Sequence, residues 1–121
     1  MRYQHTKSDV YPTTFHFLTG PFDRKEAEKK VAETAKVEPE EVCLDLNEEF
    51  PPLGRTWYKG GHVVVWISDD EKKGLVAHEL LHAVFACAHH LGFDYSDDSE
   101  EFYTYMLGWL TDEFYKYRKD S

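Results

Sequence analysis

The sequence predicts an α+β fold: a small, mostly antiparallel sheet with one charged outer helix and two long C-terminal helices. Three observations predict it. Short runs rich in β-branched and aromatic residues recur before residue 70. Gly60-Gly61 separates two of these runs as a hairpin turn would. Helical periodicity fills the C-terminal half. The order strand, helix, strand, hairpin, helix, helix is that of an α+β domain rather than a regularly alternating one. At 121 residues the chain is one domain, 1–121, able to bury about two-thirds of its extended-chain surface.

The elements follow in order. Thr13 to Thr19 is dense in Thr and Phe and ends at Gly20-Pro21, which predicts a strand closed by a turn. From Asp23 to about Lys36, Ala27, Val31 and Ala35 form a narrow apolar stripe on an otherwise charged helix. Glu41 to Leu46 alternates enough to predict a second strand, and Pro51 to Gly54 breaks the chain. Arg55 to Lys59 and His62 to Ser68 are the arms of the hairpin. Its second arm, with Val63, Val64, Val65 and Ile67, is the strongest strand signal. Gly74 to Leu91 is apolar nearly all round, which predicts a buried helix stopped by Gly92. Asp97 or Asp98 then caps a last helix reaching about Tyr117, and Arg118 to Ser121 is a tail.

The formal net charge of −9 argues against a nucleic-acid backbone or an anionic membrane as the main partner, since both would be repelled. An aromatic content of 16% favours a packed core over disorder. Residues 1–20 carry no cationic start followed by an apolar run, and the longest apolar stretch, Val63 to Ile67, is far too short to span a bilayer. A cytoplasmic protein without an export signal is the expectation. Cys43 and Cys87 are too few for a zinc ribbon and lie in apolar surroundings; reduced core residues are expected, rather than a bridge.

The chemistry resides in His78-Glu79-Leu80-Leu81-His82. On a helix, H-E-x-x-H sets two imidazoles one turn apart on one face with a carboxylate beside them, the pattern of a zinc site with its own base. Catalytic zinc takes three protein ligands and leaves a fourth position for water, so a third ligand is required. A metzincin would place His at 88 and Gly at 85; Ala88 and Phe85 exclude that class. His89 lies about 10 Å further along the axis than His82, too far to share an ion; with His90 it suits the last turn, where the helix dipole favours cations. There remains the acidic cluster Asp97, Asp98, Glu100 and Glu101 on the next helix.

H-E-x-x-H followed by a glutamate on the next helix resembles the gluzincin class of zinc peptidases, whose ligands are two His and one Glu. Residues 62 to 115, above all His78 to Val84 and Asp98 to Leu110, are also similar to short zinc-peptidase-like proteins of tailed phages and prophages. The resemblance implies a minimal zincin-like fold with both C-terminal helices carrying the site, one Zn2+, a peptide or protein substrate and, for a phage-encoded chain, the cytoplasm of a bacterial host. Among the four acids, Glu101 shares a helix sector with Tyr105, Gly108 and Asp112 and borders packed surface. Glu100 borders water. Gly108 would allow another backbone to approach. Glu101 is therefore the expected third ligand, and Asp97, Asp98 and Glu100 decorate a helix N-terminus. Since the motif helix runs about 13 Å past His82 and Glu101 starts the return helix, the two helices must cross or the loop must climb.

By the same resemblance Glu79 is the general base. Tyr105, one turn after Glu101, is a candidate donor or oxyanion stabiliser, although a buried Tyr in so aromatic a helix more often serves packing. The edge of Val63 to Ile67 would pair with an extended peptide. Two further functions use the same residues: a zinc hydrolase of a non-peptide substrate, and a non-catalytic interaction protein on a peptidase scaffold. The retained Glu79 argues against the second. A structural zinc site is disfavoured because such sites are closed by four Cys or His ligands.

Overall fold

The computed structural model describes residues 1–46 and 53–116. Its elements are β1 (Arg2–Lys7), β2 (Thr14–Thr19), α1 (Arg24–Ala35), a 3-10 turn (Pro39–Glu41), β3 (Gly54–Lys59), β4 (His62–Ile67), α2 (Lys73–Leu91) and α3 (Glu100–Lys116). The four strands form one sheet in the order β1-β2-β4-β3. Strand β1 is antiparallel to β2 and β3 to β4, but β2 and β4 run parallel, with Thr14 opposite His62. The α+β class and the two C-terminal helices hold; the sheet is mixed.

Period-two alternation divides the sheet into two faces. Phe15 and Phe17 of β2 and Val63, Val65 and Ile67 of β4 pack with Val76, Leu80, Ala83, Val84 and Cys87 of α2 and Met106, Leu110 and Phe114 of α3. Leu18, Val64 and Trp66 point the other way, onto Ala27 and Val31 of α1 and Leu44. Asp23 caps α1 by accepting from Glu26 N at 3.2 Å, and Lys36 closes it in the left-handed conformation at φ 59°. In the β3–β4 turn Gly60 and Gly61 both have positive φ, 54° and 83°, as a primed two-residue turn requires.

Several expectations need correcting. Strand β1 carries no apolar alternation to announce it; its polar side chains are held one by one. Tyr3 reaches Thr34 of α1, while Gln4 donates to the Phe114 carbonyl and Thr6 to Glu113 of α3. Residues 42–46 form no strand. Their segment is tethered through side chains of β3: Trp57 Nε1 donates to the Asp45 carbonyl, Arg55 to that of Leu46, and Lys59 to that of Glu41 just before it. Helix α3 begins at Glu100, so Asp97 and Asp98 lie in the turn before it. Cys43 is exposed; only Cys87 is a core thiol, and both are free. No backbone approaches Gly108, where a Cβ would meet nothing within 4 Å. The Pro51-Pro52 break and the tail lie outside the described residues.

Candidate metal centre

Helix α2 is buried on one side only. Val76, Glu79, Leu80, Ala83, Val84, Cys87 and Ala88 face the core, whereas Leu81 and Phe85 are 42% and 45% exposed and His78 and His82 lie with them on the open side. An all-round apolar sequence therefore does not make an enclosed helix here. What the i, i+4 spacing promised is present: His78 Nε2 and His82 Nε2 are 3.2 Å apart. Two nitrogens at 2.0–2.1 Å from one tetrahedral ion would be separated by about 3.3 Å, so this pair has the bite of a shared zinc.

Glu79 points the opposite way from its neighbours and is 4% exposed, yet its carboxylate turns back toward them. Oε1 lies 3.9 Å from His78 Nε2, and Oε2 accepts from Thr56 Oγ1 at 3.2 Å. Taking a carboxylate out of water is costly unless it is hydrogen-bonded or paired with a cation, and a metal beside Oε1 would provide the second. Gly54, two residues before Thr56, lies directly against the same side chain.

The structure does not bring the other two expected residues to this pair. Glu101 is exposed on the first turn of α3, and among the described residues no group of three His, Cys, Asp or Glu side chains is placed to hold an ion. Tyr105 is 48% exposed, and no hydrogen bond or ring contact joins it to His78, Glu79 or His82. Asp97, Asp98 and Glu100 are exposed as expected. At the far end of α2, His90 is hydrogen-bonded to Tyr58 of β3, and the Tyr58 ring meets His89 edge-on.

The edge expected to receive a peptide is not present on β4. Strand β4 is paired on both sides, by β2 and β3, so Val63 to Ile67 has no free edge. Strand β3 is the outer strand beside α2, with Gly54, Thr56 and Tyr58 turned toward that helix.

A second histidine pair had no sequence signal. His16, wholly buried in β2, bonds through Nε2 to His62 Nδ1 at 3.0 Å and through Nδ1 to the Tyr3 hydroxyl at 2.8 Å; that hydroxyl continues to Thr34 at 2.7 Å. Burial, then the nearby His62 and His5, lowers the His16 pKa to about 3, so the ring is neutral at ordinary pH. Burial also pushes the Tyr3 phenol up. His62 lines a cavity of about 360 Å³ with Val31, Val42, Leu44, Trp57 and Val64, on the sheet face opposite α2. That cavity contains none of the H-E-x-x-H residues.

Among the described residues no helix is long and apolar enough to cross a membrane. Comparison with protein-family models, curated proteins and solved structures finds no match.

Proposed function

We propose that the protein is a zinc-dependent hydrolase of peptide or amide bonds, of the gluzincin type and built on a minimal zincin-like scaffold. The observation that carries this reading is the convergence of His78 Nε2 and His82 Nε2 at 3.2 Å beside the buried Glu79 carboxylate. The two imidazoles would hold the ion. When bound, zinc supplies a Lewis acid for the scissile carbonyl and makes a coordinated water acidic. Glu79 takes the water proton at Oε1 and returns it to the leaving amine. Glu101 remains the proposed third ligand, reaching the pair through a shift of the first turn of α3. Tyr105, one turn later, is proposed to follow it as a donor to the substrate oxygen. An extended peptide would lie along β3, the outer strand of the sheet on the α2 side.

The test is metal analysis of purified protein together with turnover of a broad peptide library. About one zinc per chain is expected. Glu79→Gln should keep the zinc and lose at least a hundredfold in hydrolysis, the scale of a removed general base. A protein that binds no zinc, or that with stoichiometric zinc cleaves no peptide, would overturn the reading.

A further inference from the structure

The base of an H-E-x-x-H site must present one particular oxygen to the reacting water, and helix spacing alone does not determine which way a glutamate turns. Here the neighbouring strand does. Thr56 Oγ1 stands 3.2 Å from Glu79 Oε2 and 3.5 Å from the Glu79 main-chain carbonyl, so one hydroxyl reaches both the side chain and the backbone of the residue. Oε1 is left as the oxygen on the histidine side, 3.9 Å from His78 Nε2. On the same face of β3, a Cβ at Gly54 would come within 2.7 Å of Glu79 Cγ, 2.9 Å of Cδ and 2.9 Å of the Trp66 carbonyl. No real side chain tolerates such contacts, so only glycine lets this carboxylate lie against the strand.

We infer that Gly54 and Thr56 are positioning residues for Glu79: glycine provides the space in which the carboxylate lies, and the threonine hydroxyl holds Oε2 so that Oε1 faces the metal pair. The roles differ in kind. Gly54 acts by what it lacks, and its replacement moves the carboxylate outward. Thr56 acts by one hydrogen bond, and its replacement by an isosteric valine frees the carboxylate to rotate without altering packing volume. The β3–β4 hairpin thereby becomes part of the catalytic apparatus, although it contributes no group to the reaction itself. This rests on the reading of Glu79 as the base, but the placement of its carboxylate can be observed without metal.

The experiment compares Thr56→Val, Thr56→Ser and Gly54→Ala with the parent chain in two arms. In crystals of the metal-free proteins, Thr56→Ser should keep the Glu79 carboxylate in place while Thr56→Val and Gly54→Ala displace or disorder it. In zinc-loaded protein on the peptide library, Thr56→Val should retain its zinc and its KM while kcat falls roughly ten- to a hundredfold, as for a misplaced reacting group. Thr56→Ser should recover most of that loss. Where Gly54→Ala folds poorly, thermal unfolding of Gly54→Ala with and without Glu79→Ala decides: the penalty should shrink when the Glu79 side chain is removed. A Glu79 carboxylate unmoved by Thr56→Val, a serine variant as slow as the valine, or a Gly54→Ala penalty indifferent to Glu79→Ala would overturn the inference. A wild-type protein that cleaves nothing sinks the hydrolase reading instead, and the crystallographic arm still decides the positioning.

Discussion

Two histidine pairs in this molecule have nearly the same nitrogen separation, 3.2 Å for His78 and His82 and 3.0 Å for His16 and His62, yet they stand in different surroundings. The first sits one helical turn apart on an open face, Nε2 to Nε2, with a carboxylate 3.9 Å away. The second bridges parallel strands, Nε2 to Nδ1, and the remaining His16 nitrogen is taken by Tyr3. A metal ligand needs a nitrogen lone pair that no hydrogen bond has taken. His16 has both nitrogens on neutral partners, so its pair is a buried hydrogen-bond chain, whereas the helical pair lies on the exposed side of α2.

The largest effect that separates the pairs is on metal. His82→Ala should weaken zinc binding by more than the 10–100-fold typical of losing an outer-shell partner, because it removes a ligand. His16→Gln should leave zinc stoichiometry unchanged. Competition titration with a chromogenic chelator reads both, and zinc lost from His16→Gln but kept by His82→Ala would exchange the roles assigned to the two pairs.

How far this contrast was legible in the sequence depends on the range of the interactions. The His78–His82 pair follows from helix geometry, and the Gly60-Gly61 turn from the need for positive φ; both are local and both are where the sequence puts them. Strand β1 was invisible because its edge position asks for no apolar face. Residues 42–46 read as a strand because alternating side chains do not reveal that their backbone carbonyls bond to Arg55 and Trp57 side chains. The burial of His16 and the fit of Gly54 against Glu79 arise between elements distant in the chain, where periodicity carries no information. The approach of α3 to the His78–His82 pair is of the same kind, and there the face assigned to Glu101 and Gly108 does not bring either against another element.

Acid should discriminate the pairs next. The folded-state pKa of His16 is lowered to about 3, below the ordinary 6.5, so the unfolded chain binds the extra proton first as pH falls. The stability this neutral ring confers is complete above pH 6.5 and is lost as pH falls from there toward 3, at about 1.4 kcal/mol per pH unit. Denaturant unfolding between pH 6.5 and 5, above the range of most carboxylates, should show this slope in the wild type and a flatter one in His16→Gln. Equal slopes would mean that the buried chain takes up a proton without cost.

Third in size is the effect of the proposed ligand from α3. Glu101→Ala should weaken zinc binding markedly but less than His82→Ala, since two imidazoles remain. Should Glu100→Ala or Asp98→Ala be the damaging change instead, the assignment among the acids is wrong. If none of the three matters, the two-His-one-Glu class goes with them.

The smallest expected effect tests how α3 serves the exposed pair. Gly108 lies mid-helix with open space where a Cβ would stand, so Gly108→Ala should raise stability by about 0.5–1 kcal/mol through helix propensity alone. Without metal that gain depends only on the arrangement described above. With zinc, the outcome distinguishes two ways of recruiting Glu101. If only the first turn of α3 shifts, Gly108, two turns further on, stays open and the alanine leaves zinc affinity untouched. If the whole of α3 slides across α2, a backbone comes against Gly108, and the alanine that stabilises the metal-free protein weakens zinc binding. Unfolding curves and chelator titrations on this one variant, with and without metal, therefore separate a local rearrangement of the ligand from a movement of the helix. A stabilisation absent even without metal would show that Gly108 is already packed, contrary to the open surface found here.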